Sequence, residues 1–298
     1  MIGFLVVDKE AGWTSHDVVA RCRRILGERR IGHAGTLDPG ATGVLVVGVG
    51  RATRLLRYLV GVDKDYLGEV VLGSTTDTLD DAGEVQERFD MSGVTLDQVR
   101  AGAAGLTGEI DQMVPMVSAV KVGGERLHKL ARAGTEVERP VRRVRVERFE
   151  VGEGAEPGTF TLDVRCSSGT YVRVLAADLG SALGGGAHLR RLRRTRVGSF
   201  EVTEAKTLGQ LEEAFAGGDG SALRPPLDAL GHLERVEVSE AIALDVGHGR
   251  PVERGSIAVS GAGPFALVDG AGELLAVYEV DGDEGDERAK ATVVIRPA

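Results

Sequence analysis

Residues 30–45 contain a single carboxylate, Asp38, among glycines and other small residues. Pro39 restricts Asp38 to extended or turn geometry, and the neighbouring glycines permit backbone shapes that other residues avoid. The apolar run at 44–47 predicts a buried strand directly after this loop, which would fix the position of the carboxylate. A carboxylate held in this way can act as a nucleophile. The alternative is a turn aspartate that accepts a hydrogen bond from its own backbone.

Apolar spacing and helix caps predict the elements that position this loop. Strands are predicted at 4–7, 44–47, 64–73, 141–151 and 159–166. Helices are predicted at 14–27, 55–60, 95–106, 169–183 and 207–215. Loops are predicted at 75–83 and 184–186, and a basic, glycine-hinged insertion at 112–140. Beyond about His232, short apolar runs separated by glycine-rich turns predict a small β-rich module.

The composition limits the class of protein. A chain of 298 residues with 42% hydrophobic residues can form two globular domains. It has no apolar run of about 18 residues and no signal-peptide pattern, so we expect neither a membrane nor a secreted location. Cys22 and Cys166 form no disulfide framework or metal-ligand cluster, which predicts reduced packing residues in a cytoplasmic protein.

The charge is segregated along the chain. The formal net charge is −9, yet residues 1–60 hold nine Lys/Arg against five Asp/Glu. Five arginines lie within 190–196, whereas acids gather at 77–97 and 281–287. Five arginines in seven residues would repel one another without an anionic partner, which favours a surface for a polyanion. The alternative is a solvated face.

Several blocks of this chain resemble one known family. GHAGTLDPGATGVL at 32–45 is preceded by DKEAGWTSHDVVARCRR and followed by GRATRLL. Further matching blocks are DKDYLGEVVLGSTTDTLDDAGEV at 63–85, SAVKVGGERLHKLARAG at 118–134 and CSSGTYVRVLAADLG at 166–180. Together they resemble the TruB family of bacterial tRNA pseudouridine-55 synthases.

The resemblance implies roles for individual residues. Asp38 matches the catalytic nucleophile, Arg173 the arginine that pairs with it, and Tyr171 a residue that lines the pocket. Tyr66, in a Lys-x-Tyr motif, is expected to stack on a flipped uracil, and its hydroxyl to serve proton transfer from C5. His33 is expected to take the place of the flipped base. The alternatives are a surface helix residue for Arg173, a core residue for Tyr66 and a packing residue for His33.

The implied partner is the folded T-arm stem-loop of tRNA, recognised by shape with one base flipped. The reaction moves the ribose bond from N1 to C5 of uracil, and it needs no redox partner, cofactor or metal. Phosphate contacts are expected from Lys9, Lys121, Lys129, Arg190, Arg191, Arg193 and Arg194.

The fold expected from this resemblance is mixed α/β (α+β), with a pseudouridine-synthase domain around a largely antiparallel sheet. That catalytic domain is predicted to span residues 1–232, with a thumb-like insertion at about 112–140. Residues 233–298 are predicted to form a PUA-like RNA-binding domain. The chain departs from the family pattern at Ala34, Val114, Val117 and His128, which affects the expected details of RNA docking.

Two alternatives share this scaffold. One is a guide-RNA-dependent synthase of the dyskerin/Cbf type, and the long segment 107–140 argues against it because stand-alone enzymes use the thumb to hold their own substrate. The other is a non-catalytic tRNA-folding chaperone, against which the intact set of Asp38, Tyr66 and Arg173 argues. We therefore expect a stand-alone cytoplasmic enzyme, a monomer with no obligate protein partner and no membrane association.

Overall fold

A nine-stranded sheet carries the Asp38 loop in the computed structural model of the chain. The structure describes residues 1–118, 120–135, 137–257, 259, 261–280 and 288–296, without the side chains of His128 and Arg132. The acidic cluster predicted at 281–287 and the departure at His128 therefore lie outside the described residues.

Eighteen strands and seven α-helices are described. The strands are β1 (Gly3–Lys9), β2 (Ile31–Ala34), β3 (Thr42–Val49), β4 (Lys64–Leu72), β5 (Ser74–Thr76), β6 (Val85–Arg88), β7 (Gly108–Met113), β8 (Lys121–Val122), β9 (Glu125–Arg126), β10 (Val141–Glu153), β11 (Thr159–Cys166), β12 (Ala187–Val197), β13 (Phe200–Glu201), β14 (Glu234–Glu237), β15 (Val252–Glu253), β16 (Phe265–Val268), β17 (Leu274–Val280) and β18 (Arg288–Val294). The helices are α1 (Ser15–Leu26), α2 (Leu56–Val60), α3 (Leu96–Gly105), α4 (Leu127–Arg132), α5 (Val172–Ala182), α6 (Leu208–Ala216) and α7 (Glu240–Gly247).

The large sheet has the strand order β1-β3-β12-β4-β11-β10-β7, with β2 paired to β3 and β13 to β12. Its described pairs are antiparallel except β3 with β12, which run parallel at Thr42 and Arg193. The mixed α/β fold with a largely antiparallel sheet is confirmed. Because β12 lies between β3 and β4, it brings together the strand after the Asp38 loop and the strand that bears Tyr66.

Helices pack against the sheet in separate apolar clusters. Helices α3 and α5 pack over β4, β10 and β11 in one apolar cluster, and α1 and α6 pack over β1 and β3 in another. The predicted caps are confirmed at Thr14, Thr95 and Thr207, whose side chains each accept a hydrogen bond from the backbone of the third helical residue. These caps are local in sequence, so the helix starts were predictable.

Strand β12 was missed in the sequence. Its arginine-rich sequence reads as a charged surface, but residues near both of its ends, such as Ala187, Leu189 and Val197, are buried, and the strand lies inside the sheet. The segment predicted as a loop at 75–83 also differs in part, because β5 and β6 pair on either side of it.

The β-rich C-terminal domain is confirmed. A five-stranded sheet of order β14-β16-β17-β18-β15 begins at Glu234, with α7 packed against it. Ala266, Val277 and Val293 of this sheet share an apolar cluster with Leu59 of α2 and with Leu55, which precedes that helix. The PUA-like assignment of this sheet and the domain boundary at 232 stay predictions. No helix in the described part of the chain is long and apolar enough to cross a membrane.

Candidate active site

A cavity of about 270 Å³ opens beside Asp38. Most of its walls come from the loop before β3, strand β4, the segment 167–173 that leads into α5, and strand β12, and Val60 and Ser118 complete the lining. Tyr66, Tyr171 and Arg173 all line it with Asp38, so the structure brings together the four residues that were assigned catalytic roles. The Asp38 side chain is 47% exposed, so a ligand in the cavity can reach the carboxylate.

The backbone on both sides of Asp38 is held by buried side chains. On one side, the Ser15 hydroxyl accepts a 3.0 Å hydrogen bond from the Leu37 N–H and donates one of 3.2 Å to the Leu37 carbonyl. On the other side, the Lys9 ammonium donates 3.1 Å to the Pro39 carbonyl. Since neighbours of Asp38 in both directions are fixed, the carboxylate is presented at a defined position.

Lys9 is fully buried, and its ammonium donates two further hydrogen bonds, of 3.1 Å to the Glu10 carbonyl and 2.7 Å to the Trp13 carbonyl. Because an ammonium has three donors, all of them are used inside the protein. The prediction that Lys9 contacts a phosphate is therefore wrong, since no donor faces solvent. Burial lowers the pKa of Lys9 to about 8.

Arg194 is also buried, with 1% of its surface exposed. Its guanidinium donates 2.9 Å to the Gly35 carbonyl and 2.8 Å to the Val44 carbonyl, so it joins the two ends of the Asp38 loop. Gly43 permits this contact, because its φ is +98° and a Cβ there would lie 2.2 Å from the Arg194 carbonyl oxygen. The predicted phosphate contact is wrong for Arg194 too, and the residue positions the loop.

Arg173 lies in the first turn of α5 and is almost completely buried. One terminal nitrogen lies 3.7 Å from Asp38 Oδ2, and the other lies 3.8 Å from Asp80 Oδ2. The guanidinium also donates a hydrogen bond to the Val117 carbonyl, at the start of the thumb-like segment. These contacts place a fixed positive charge beside the Asp38 carboxylate.

Asp80 was not predicted as a site residue. It lies in the acidic loop between β5 and β6, where its side chain is 23% exposed. The sequence offers only a cluster of acids there, and the pairing with Arg173 depends on a contact between residues 93 positions apart. The one sequence signal that included Asp80 was the family resemblance of the segment at 63–85.

Tyr171 is positioned through its backbone. The Gln112 side chain accepts a 2.7 Å hydrogen bond from the Tyr171 N–H and donates one of 3.1 Å to its carbonyl. Gln112 is 2% exposed, so this paired contact is shielded from water. The Arg173 guanidinium carbon lies 5.8 Å from the centre of the Tyr171 ring. Gln112 was another residue that the sequence did not single out.

Tyr66 lies on β4 and is 7% exposed. Burial raises its pKa, so the hydroxyl is a neutral donor at neutral pH. A neutral ring in the cavity wall suits stacking on a base better than removal of a proton from C5. Beside it, Lys64 is buried, and its ammonium donates 2.8 Å to the Val62 carbonyl.

His33 lies on β2, outside the residues that line the cavity. Its ring meets the ring of His16 edge to face, with centroids 5.7 Å apart. The Nδ1 atom is buried without a hydrogen-bond partner among the described residues. Burial, together with His16 and Arg194, lowers the pKa of His33 and favours the neutral ring. The predicted role in base flipping stays a prediction.

The remaining predicted RNA contacts fall into two groups. Arg190 and Arg193 lie in ion pairs, with Glu156 at 2.9 Å and Asp8 at 2.7 Å respectively. By contrast Arg191, Lys121 and Lys129 are exposed and make no ion pair with another described residue. The expectation that the arginine run needs an external anion is therefore wrong for its paired members, because the protein itself supplies the carboxylates.

The described residues contain no group of three or more His, Cys, Asp or Glu side chains arranged to hold a metal. The cavity brings carboxylate, arginine and aromatic side chains together with apolar ones, a set that could support nucleophilic catalysis.

Comparison with known proteins gives the family. Residues 23–172 match the TruB family pseudouridylate synthase N-terminal domain, and residues 173–233 match the tRNA pseudouridylate synthase B C-terminal domain. This chain belongs to the TruB family. The two matched TruB segments meet between Val172 and Arg173, so the site joins Asp38 and Tyr66 of the first segment to Arg173 of the second.

Relatives over nearly the full length support this result. The tRNA pseudouridine synthase B of Mycobacterium sp. (strain KMS) is 48% identical, covering 99% of this chain and 97% of the relative. The protein of the same name from Leifsonia xyli subsp. xyli is 46% identical, covering 95% of this chain and 94% of the relative.

Chains of solved structures share the fold. A chain of a Cbf5-Nop10-Gar1 complex has a TM-score of 0.77 and 28% identity, covering 99% of this chain and 87% of that chain. A chain of an H/ACA RNP bound to a substrate RNA containing 2'-deoxyuridine has a TM-score of 0.76 and 27% identity. The match covers 99% of this chain and 85% of that chain.

Proposed function

We propose that this chain isomerises the T-loop uridine at position 55 of tRNA to pseudouridine, without a guide RNA. The observation that carries the proposal is the Asp38 carboxylate, which lies at a cavity with Arg173 3.7 Å away. The relatives named tRNA pseudouridine synthase B support the substrate class.

The reaction conserves every atom of the uridine. The bond between N1 and C1′ breaks, a bond between C5 and C1′ forms, C5 loses a proton and N1 gains one. The enzyme must therefore supply a nucleophile, retain the detached base and allow it to turn. Asp38 is the nucleophile, whether it attacks the ribose or the pyrimidine ring.

The surrounding residues divide the other tasks. Arg173 places its positive charge beside Asp38, Tyr66 stacks on the uracil, and Tyr171 forms another part of the cavity wall. The cavity is bounded by apolar residues such as Leu189 and Leu192, which limit the access of water while the base is detached. Since uridine lies within a folded loop, it must be flipped out before Asp38 reaches it.

The guide-dependent alternative remains a candidate because the similar Cbf5 chains were solved in complexes. The thumb-like segment favours the stand-alone enzyme. It carries the β8–β9 hairpin and α4, and its Val117 carbonyl accepts a hydrogen bond from Arg173 beside Asp38. We propose that this segment holds the T-arm directly, and that the chain works as a monomer in the cytoplasm with no obligate protein partner.

The test is to incubate the purified chain with unmodified transcribed tRNA, without guide RNA, other proteins or added metal. We expect pseudouridine at the T-loop uridine and at no other position. A transcript with cytidine at that position is the matched control. Tight binding without any pseudouridine would favour the chaperone, and conversion only after addition of a guide RNA and partner proteins would favour the guide-dependent enzyme.

A further inference from the structure

The loop that carries Asp80 is held in an unusual backbone shape. Leu79 has φ of +65°, and among the described residues it is the one non-glycine residue with positive φ. This conformation costs about 1 kcal/mol or more and persists only where surrounding contacts impose it. The strained residue directly precedes Asp80, which contacts Arg173, so the contacts that impose this shape also fix the Asp80 carboxylate.

Backbone hydrogen bonds dock the loop on β12. The Leu189 N–H donates 3.0 Å to the Leu79 carbonyl, and the Asp81 N–H donates 2.9 Å to the Leu189 carbonyl. Asp80 Oδ1 accepts 2.6 Å from the Thr78 hydroxyl and 3.1 Å from the Ala82 N–H. These bonds occupy Oδ1 and leave Oδ2 to face Arg173.

His188, the residue before Leu189, is bonded to Ser74 on one side of the Asp80 turn and lies near Asp81 on the other. Its Nδ1 lies 3.2 Å from the Ser74 carbonyl oxygen and 3.4 Å from the Ser74 hydroxyl. Its Nε2 lies 3.6 Å from Asp81 Oδ1, a distance too long for a direct hydrogen bond. His188 is 6% exposed, so the contact with Ser74 is shielded from water.

The order of Ser74, His188 and Asp81 resembles a hydrolase triad, but the geometry does not support that chemistry. Ser74 is 7% exposed and lies in β5, where no substrate carbonyl can approach its hydroxyl. The histidine instead connects β12 to Ser74 before the Asp80 turn and to Asp81 after it. Its position therefore suits a structural clamp on that turn.

We propose that His188 is a positioning residue for the isomerisation, which acts through Asp80 on Arg173 and so on Asp38. It clamps the strained turn at Leu79 so that Asp80 Oδ2 faces the guanidinium. Arg173 is then held between two carboxylates, 3.7 Å from Asp38 and 3.8 Å from Asp80. This inference rests on the proposed function, because its readout is pseudouridine formation.

The test is a double-mutant cycle on kcat with tRNA, normalised to folded protein. His188→Leu is expected to lower kcat by about tenfold to a hundredfold, because the carboxylate moves by about an ångström, and to leave the Kd for tRNA unchanged. In an Asp80→Asn background the same substitution is expected to change kcat by less than about twofold. Multiplicative losses in the double variant would overturn the proposal, as would a wild-type kcat in His188→Leu.

Two further variants separate positioning from stability. His188→Asn keeps an amide donor near the place of Nδ1 and is expected to recover most of kcat, whereas His188→Gln, whose amide matches Nε2 instead, is not. If His188→Leu does not fold, the comparison of His188→Asn with His188→Gln tests the proposal instead, and equal losses of kcat in these two variants would overturn it.

Val151→Ala, a buried change in β10, is expected to lower Tm without changing kcat per folded molecule. Absence of activity in the wild type would instead reject the proposed function.

Discussion

The Lys9 ammonium donates a 3.1 Å hydrogen bond to the carbonyl oxygen of Pro39, the residue that follows Asp38. A lysine expected to contact RNA phosphates is therefore buried against the Asp38 loop, 30 positions away in sequence. Its charge is balanced by three carbonyl oxygens and by attraction to Asp38, not by phosphate. This relationship changes the expected effect of mutating Lys9 from weaker RNA binding to slower chemistry.

Lys9→Met keeps the length of the apolar stem and removes all three hydrogen bonds. We expect kcat to fall by about tenfold to a hundredfold, because the loop that carries Asp38 loses one of the side chains that hold its backbone. The Kd for tRNA is expected to stay within about twofold, because the ammonium makes no contact with solvent. Single-turnover rates and filter binding measure the two quantities. A weaker Kd with an unchanged rate would restore the phosphate role.

Activity should decline at alkaline pH. Burial lowers the pKa of both Lys9 and Lys64 to about 8, so both ammonium groups are protonated below that pH and lose the proton above it. Neutral Lys9 can donate two of its three hydrogen bonds at most, so kcat is expected to fall as pH rises through about 8. A profile of kcat for the wild type, Lys9→Met and Lys64→Met assigns the decline to one lysine. A wild-type kcat that stays constant as the pH rises through about 8 would contradict the expected loss of activity on deprotonation of these lysines.

Arg173→Lys tests whether the two carboxylates need a guanidinium. The planar group reaches Asp38, Asp80 and the Val117 carbonyl at once, whereas a single ammonium cannot match all three directions. We expect kcat to fall by about a hundredfold, with little change in tRNA affinity. Arg148→Lys, which changes a surface pair with Asp163, is the matched control and should keep its rate. Near wild-type turnover by Arg173→Lys would show that charge alone suffices.

The salt dependence of tRNA binding should separate the exposed cations from the paired ones. Arg191→Ala, Lys121→Ala and Lys129→Ala are each expected to reduce the slope of log K against log salt by about 1, as for the loss of one phosphate contact. Arg193→Gln should change the slope much less, because its guanidinium is paired with Asp8 through hydrogen bonds of 2.9 and 2.7 Å. Equal slope changes for Arg191 and Arg193 would mean that tRNA displaces Asp8.

The sequence predicted the helices and strands whose formation depends on residues close together along the chain. The helix that starts after Thr14 and the strand that carries Tyr66 depend on neighbouring residues, and both are confirmed. The family resemblance placed Asp38 and Arg173 in one site, and the structure brings them together, although their catalytic roles stay a proposal.

The features that the sequence did not predict depend on contacts between residues far apart along the chain. The arginines of β12 read as an exposed run because their partners lie far away in sequence: Arg193 pairs with Asp8, and Arg196 with Asp65. The sequence alone did not distinguish Asp80 from the acidic residues around it, because only the folded chain shows which carboxylate faces Arg173.

The most direct test of the account is a single-turnover assay of Asp38→Asn beside the wild type on unmodified tRNA. The substitution keeps the shape of the side chain and removes its nucleophilic charge, so we expect pseudouridine formation to stop while the Kd for tRNA remains that of the wild type. That result would identify Asp38 as the nucleophile. Pseudouridine formation by Asp38→Asn at the wild-type rate would contradict the central claim.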